Sequence, residues 1–210
     1  MSLFIADGVF MTACDADVVV LDTRSDTYSC LPEAAGVLDL TLNSVEGRPE
    51  LLEDLAAAGL LTSMVQPSRQ PLPAPPAQAL AFDAARPGLR DEIAVVQGMM
   101  GAWRHGPGRR SLSDLLAPQP SPAPKAADPA SVARLTSAFV RRLPWDPAQG
   151  SCLYRAWLLR RILQSRGEEA AWVFGVRTWP FGAHCWLQIG EFALDDDPDR
   201  IAQYTPIMAV

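Results

Sequence analysis

The chain has 210 residues, of which 49% are hydrophobic and 20% charged, a balance typical of globular domains rather than disordered or fibrous proteins. Its 18 basic residues against 24 acidic ones leave a net charge of −6. This argues against a dedicated nucleic-acid-binding protein, because such a protein needs a basic face to neutralise phosphates.

Charge and proline are distributed unevenly along the chain. Residues 1–80 carry three arginines against eleven acids, whereas residues 81–210 carry fifteen basic residues against thirteen acidic ones. Five prolines crowd the stretch Pro67–Pro76, which favours extended backbone and is typical of a linker. We therefore predict two units, residues 1–66 and 81–210, joined by a proline-rich linker over residues 67–80.

The first unit is predicted as a small sheet followed by helices. Alternating and β-branched residues predict three strands, and apolar residues at helical spacing predict two helices, the second ending at Gly59. The predicted strands are Val9–Ala13, Val18–Asp22 and Thr27–Cys30, and the predicted helices are Leu31–Asn43 and about Pro49–Ala58.

The second unit is predicted as helices followed by strands, which makes the fold class α+β with an antiparallel sheet. Caps and apolar spacing predict the helices Leu89–Arg104, Asp128–Leu143 and Ser151–Arg166. Four prolines predict a loop over Pro118–Pro124. The predicted strands are Ala171–Arg177, His184–Ile189 and Phe192–Asp195, with Gly190-Glu191 as the last turn.

The expected location is the cytoplasm, away from membranes. Met1–Leu21 lacks the basic start of a secretory signal, and we find no uncharged stretch long enough to span a bilayer. The four cysteines (14, 30, 152 and 185) have no C-x-x-C spacing, so we expect reduced thiols.

Cys152 and His184 are the residues best suited to chemistry. Cys152 falls in the first turn of a predicted helix, where the partial positive charge of the helix terminus stabilises a thiolate. A thiolate nucleophile needs an imidazole to hold and return a proton, and His184 begins a predicted strand. Taken singly, each residue is more often structural, as a buried cysteine or a strand histidine, and it is their combination that favours catalysis.

A third group would be a carboxylate that orients the imidazole, and Asp195–Asp197 follow on the next strand. A two-residue turn puts Asp195 on the face of His184, whereas a three-residue loop pairs His184 with Asp196. Periodicity does not choose between the two registers, and a solvated acidic turn remains the alternative reading of the run.

We expect no cofactor. Cys185 adjoins His184, but neighbouring strand residues point to opposite faces and do not readily share a metal ion. The sequence also contains neither G-x-x-x-x-G-K-[ST] nor G-x-G-x-x-G, the two glycine-rich phosphate-binding motifs.

Several motifs together resemble one family. Over about residues 85–210, the motifs Ser-Cys-Leu-Tyr-Arg-Ala (151–156), Ala-His-Cys-Trp-Leu-Gln (183–188) and Leu-Asp-Asp (194–196) resemble the leader peptidases of lasso-peptide biosynthesis, the B proteins. The resemblance implies a transglutaminase-like, papain-related cysteine protease fold. It also implies Cys152 as nucleophile, His184 as general base and Asp196 as orienter, and it favours the three-residue loop.

The first unit is similar to the small winged-helix leader-recognition domain that some B proteins carry in the same chain. The resemblance implies that the leader of a lasso precursor peptide adds as a strand on the third strand, beside the last helix. Thr27, Tyr28, Leu51 and Leu55 are the candidate binding residues, although core leucines and an ordinary edge strand explain them equally well. The freed core would pass to an ATP-dependent lasso cyclase, an expected partner.

The predicted function is therefore cleavage of leader from core before macrolactam cyclisation. Two alternatives share the same residues: acyl transfer to an amine, as in transglutaminases, and a leader-binding scaffold without catalysis.

Overall fold

The computed structural model describes residues 3–82, 84–105, 111–117, 127–146 and 151–210 of a mixed α/β protein with three sheets. The sheets are antiparallel apart from one short parallel pairing at an edge. The fold class therefore agrees with the predicted α+β arrangement, and the predicted loop Pro118–Pro124 lies outside the described residues.

The three strands predicted in the first unit are present. After a short strand that sequence reasoning missed, β1 (Leu3–Ile5), the chain forms β2 (Val9–Cys14), β3 (Asp17–Asp22) and β4 (Thr27–Leu31). They make an antiparallel sheet in the order β2-β3-β4, with β4 at an edge.

The predicted helix Leu31–Asn43 is wrong. That segment holds a 3-10 turn at Ala34–Gly36 and a hairpin of β5 (Leu38–Leu40) and β6 (Ser44–Gly47). The hydroxyl of Thr41 accepts from the backbone N–H of Ser44 at 2.9 Å, which closes the hairpin turn with a side chain. This local hydrogen bond competes with helix, as threonine and serine side chains often do.

The second predicted helix is confirmed as α1 (Pro49–Ala57), and Gly59 follows it in the left-handed region with φ of 72°. A short β7 (Leu61–Thr62) then completes a second sheet in the order β5-β6-β1-β7. The winged-helix character of this unit stays a prediction.

The three helices predicted in the second unit are present, and a further short helix, which was not predicted, follows the first of them. After a short strand, β8 (Gln78–Ala79), the chain forms α2 (Leu89–His105), α3 (Leu112–Leu116), α4 (Pro129–Arg142) and α5 (Cys152–Ser165). Asp128 caps α4 by accepting from the N–H of Ala130 at 3.0 Å, with Pro129 as the first helical residue.

A five-stranded sheet completes the second unit in the order β12-β9-β10-β11-β8. Its strands β9 (Ala171–Arg177), β10 (Gly182–Ile189) and β11 (Phe192–Leu194) match the prediction, whereas helix α6 (Pro198–Ile201) and strand β12 (Thr205–Ala209) were missed. The end of the proline-rich stretch joins this sheet, because β8 pairs in parallel with β11.

Strand β3 separates two hydrophobic cores. Val18 and Val20 belong to a core built from residues 3–61, whereas Val19 and Leu21 belong to the large core of the helices and the five-stranded sheet. Successive strand residues point to opposite faces, so a continuous apolar strand can fill both cores. The predicted boundaries at residues 66 and 80 stay a prediction, but the two sides share this packing.

Candidate active site

Cys152 is the first residue of α5, and the residue before it caps the helix. The hydroxyl of Ser151 accepts from the backbone N–H of Tyr154 at 3.1 Å. The half-buried sulfur therefore lies at the positive end of a 14-residue helix, which stabilises an anion.

His184 joins an acid and the thiol. Its Nε2 lies 2.6 Å from Oδ2 of Asp196, and the thiol of Cys152 lies close enough to its side chain to raise the pKa of the imidazole. Because Nε2 faces the carboxylate, Nδ1 is the ring nitrogen left for the sulfur. His184 is 4% exposed, and the ring of Tyr204 packs against it with centroids 5.2 Å apart. The structure thus brings together three residues from α5, β10 and the segment after β11.

The turn that leads to the acid differs from the one favoured by the family resemblance. Ile189 pairs with Phe192 and Leu187 with Leu194, so the turn has two residues, Gly190 and Glu191. The three-residue loop is therefore wrong.

Asp196 reaches His184 by another route. Strand β11 ends at Leu194, and Asp195 takes the left-handed conformation with φ of 53°. The alternation of side chains that would carry Asp195 to His184 stops at this point. The reversal of the backbone brings the next residue, Asp196, to the imidazole instead.

Asp195 has a different partner. Its Oδ2 accepts from Nη2 of Arg155 at 2.6 Å, and Arg155 lies one helical turn after Cys152 on α5. Burial raises the pKa of Asp195, opposed by this contact with Arg155. The two neighbouring acids are thus separated: Asp196 contacts His184, and Asp195 anchors the segment to α5.

The environment favours a thiolate–imidazolium pair. Hydrogen bonds from the side chain of Cys185 and from His184 lower the pKa of Cys152 to about 4, against the opposing effect of burial. Burial alone would lower the pKa of His184, but its hydrogen bonds to Asp196 and Cys152 raise it to about 9. Near neutral pH the sulfur is therefore anionic and the imidazole cationic.

Cys185 is a site residue that sequence reasoning missed. We expected Cys185 and His184 to face apart on their strand, yet both contact Cys152, because α5 packs across β10. The hydrogen bond to Cys152 is also the main reason that the pKa of Cys185 is raised. The only signal in the sequence was its position next to the histidine.

The residues predicted to bind a leader lie in three settings. Thr27 is exposed, and Tyr28 is half-buried beside an apolar cavity that also borders Cys152. Leu55 is buried in the first core at 4% exposure, with Leu51 packed against that core. Leu55 therefore fits the alternative reading of a core leucine, and within the described ranges no strand pairs with the outer edge of β4.

Comparison with known proteins places this geometry in a family. Residues 95–209, more than half of the chain, match the model of the transglutaminase-like superfamily, and the match includes Cys152, His184 and Asp196. The chain belongs to the transglutaminase-like superfamily. Its transglutaminase-like region thus runs from within α2 to the end of β12.

One curated relative is similar over a shorter stretch. The microcin J25-processing protein McjB of Escherichia coli is 41% identical over 51 residues, which are 24% of this chain and 24% of McjB. The chain therefore aligns with about a quarter of that protein's length. With the superfamily match, this similarity supports the predicted resemblance to the B proteins of lasso-peptide biosynthesis. No solved structure gives a significant match.

The described residues offer neither a metal site nor a helix that could span a membrane. No cluster of three or more histidine, cysteine or acidic side chains there is arranged to hold a metal ion. The helices in that part of the chain also lack the length and hydropathy needed to cross a bilayer.

Proposed function

We propose that this protein is a cysteine peptidase of lasso-peptide biosynthesis, which binds the leader of a ribosomally made precursor and cleaves it from the core. The observation that carries the proposal is the position of His184, with Asp196 at 2.6 Å from Nε2 and the Cys152 thiol as its second partner. This order of nucleophile, base and orienting acid is the one that acyl transfer requires.

The proposed reaction has two steps. The sulfur of Cys152 attacks the scissile carbonyl carbon, and the imidazolium of His184 gives its proton to the leaving amine as the C–N bond breaks. The leader is then held as a thioester on Cys152. Water attacks this thioester and gives a proton to His184, which releases the leader as a carboxylic acid and restores the thiolate. Asp196 holds the imidazole and stays ionised throughout.

Leader capture is proposed for the outer edge of β4. An extended leader can pair with the free N–H and C=O groups of an edge strand. Holding the leader there raises the local concentration of the scissile bond toward about millimolar, so the cleft itself needs little affinity. The released core carries a new amine, and an ATP-dependent cyclase is the proposed partner that consumes it.

The test uses the full chain and a lasso precursor peptide that carries its leader, with products weighed by mass spectrometry. Cys152→Ala should abolish cleavage while leader affinity stays, and His184→Ala should slow cleavage by about 10²–10⁴-fold. Cys14→Ala removes a buried thiol that does not line the apolar cavity beside Cys152, and this variant should still cleave.

Three outcomes would overturn the proposal. Since the superfamily is transglutaminase-like, the same thioester could be captured by an amine. A product heavier by the mass of an added amine would then indicate acyl transfer rather than hydrolysis. Cleavage that survives Cys152→Ala would show that the catalytic assignment is wrong. Leader binding without cleavage by the unaltered chain would instead leave a leader-binding scaffold. Proline substitutions at Thr27 and Tyr28 should weaken leader binding, because one of these two adjacent N–H groups faces the outer edge.

A further inference from the structure

An apolar cavity of about 290 Å³ opens beside Cys152, and both units of the chain line it. Leu21 and Tyr28 come from the first unit. From the other side, the cavity is lined by Leu112, Leu153, Phe174 and Ala183. His184 and Cys185 also border it, so the cavity is continuous with the proposed nucleophile.

The acidic side chain in this wall already has a partner. Asp26 accepts from the backbone N–H of Leu112, the first residue of α3, at 2.8 Å. This bond ties the loop before β4 to α3 across the cavity wall. What the cavity offers to a ligand is therefore its apolar lining.

Tyr28 is the main contribution of the first unit to this wall. Its ring packs against Phe181 with centroids 5.7 Å apart, and Phe181 is 53% exposed. Tyr28 lies close enough to Cys152 and Cys185 for their charges to add to the effect of burial, which raises its pKa to about 12. Its ring therefore lies between the edge strand β4 and the sulfur.

We propose that this cavity binds one apolar side chain of the substrate peptide next to the scissile bond, and that Tyr28 is a specificity-determining residue. The inference rests on the proposed function and names the substrate class for the same site. Small-molecule pockets usually have about 300–1,000 Å³, so this cavity of about 290 Å³ has room for an aliphatic side chain of the peptide. It borders Cys152 and His184, where the carbonyl carbon of the peptide reacts.

The arrangement gives the first unit a second role. Its strand β4 is the proposed docking edge for the leader, and the same strand supplies a wall of the cleavage site. Residues of both units therefore determine which substrate residue is accepted beside the cleaved bond.

The test uses the full chain and two pairs of N-acetyl-dipeptidyl chloromethyl ketones. Within each pair, one probe has alanine and the other has leucine at the same residue. The first pair differs at one residue of the dipeptide, and the second pair differs at the other residue. The sulfur of Cys152 displaces chloride and forms a thioether, which peptide mapping by mass spectrometry detects. Each rate is divided by the rate with iodoacetamide, so that changes in thiolate reactivity cancel. One leucine probe should react at least about tenfold faster than its alanine partner.

Two variants then change the cavity, each at a different wall. Tyr28→Ala removes one wall, and Ala183→Leu fills the space from an exposed position on β10 that should not disturb folding. Both should reduce the leucine preference to less than about threefold. Trp145→Ala, an 83% exposed aromatic side chain outside the cavity, is the matched control and should keep the preference.

Failures of the two proposals give different results. Equal rates for leucine and alanine probes at both residues, or a preference that persists in both cavity variants, would overturn the cavity assignment while Cys152 stays reactive. If no probe modifies Cys152 faster than the exposed Cys30, the proposed peptidase function itself fails.

Discussion

At the scale of single residues, the reactivity of the site depends on the protonation states of Cys152 and His184. The pKa of Cys152 lies at about 4 and that of His184 at about 9, so the reactive ion pair exists between these two values. Below this window the thiolate is protonated, and above it the imidazole has lost the proton that the leaving amine needs.

The first prediction is a pH profile. The rate at which iodoacetamide alkylates Cys152 should rise as the pH increases through about 4. The rate of precursor cleavage should rise over the same range, and it should then fall as the pH increases through about 9. His184→Ala removes a hydrogen bond that lowers the pKa of the thiol, so alkylation at pH 6 should slow at least about tenfold. Peptide mapping also follows Cys30 as an internal reference, because partial desolvation and the nearby Asp17 raise the pKa of this exposed thiol. Matching profiles for both cysteines would contradict the ion pair.

The second prediction concerns the left-handed backbone at Asp195. A β-branched residue is strongly disfavoured at φ of 53°, so Asp195→Val should move Asp196 away from His184. We expect cleavage to slow at least about tenfold and the upper limb of the pH profile to shift to lower pH, because His184 loses its carboxylate.

Asp195→Asn is the matched control for this change. Asparagine tolerates the left-handed region and still offers an oxygen to Arg155, so the upper limb should stay near the wild-type position. A slower enzyme with an unshifted profile in Asp195→Val would indicate a purely structural role.

At the scale of elements, α5 connects the site to the helical layer through its contact with α2. A Cβ added at Gly98 of α2 would lie 2.6 Å from Cγ1 of Ile162, a residue of α5 that is 1% exposed. At Gly101, three residues further on, no atom of the described residues lies within 4 Å of the same position. Alanine substitutions at the two glycines therefore separate the effect of close packing from the effect of helix propensity.

The third prediction follows from this pair. Gly98→Ala should lower the free energy of unfolding by about 1–3 kcal/mol, because the extra methyl group overpacks the α2–α5 contact. Gly101→Ala should raise it by up to about 1 kcal/mol, since alanine favours helix over glycine. Denaturant titration measures both, and a stabilised Gly98→Ala would show that Ile162 has room to move.

Sequence reasoning succeeded for some elements and failed for others for physical reasons. Long segments with a cap, such as α4 behind Asp128, were placed to within a residue or two because local signals define them. The hairpin of β5 and β6 was missed because its apolar residues also fit a helical period, and its strands are three and four residues long. Cys152, His184 and Asp196 came from chemistry and family motifs. The left-handed backbone at Asp195 could not be predicted, because the argument from alternating side chains assumes that the strand continues.

At the scale of the whole molecule, β3 links the two cores. Val20 is buried in the core of residues 3–61, and Val19 beside it belongs to the large core. Side chains reinforce the link: Trp179 Nε1 donates to Asp17 at 2.9 Å, and the Thr178 hydroxyl donates to Asp15 at 3.1 Å. We therefore expect the two cores to unfold together.

The fourth prediction tests this coupling with the tryptophans, all six of which lie after residue 100. Val20→Ala should destabilise the protein by about 1–3 kcal/mol and lower the midpoint seen by tryptophan fluorescence as much as that seen by far-UV circular dichroism. Val65→Ala, at a position 78% exposed, should change stability by no more than about 0.5 kcal/mol. Separate transitions for the two probes would show that the cores unfold independently.

The placement of Arg155 one turn after Cys152 has a mechanical consequence. Since Arg155 binds Asp195, the segment bearing Asp196 is fastened to the same helix that carries the sulfur. A small slide or tilt of α5 would then carry both ends of the proton relay in the same direction, with the imidazole between them. The separation between the sulfur and the carboxylate is thereby kept when the packed helix shifts.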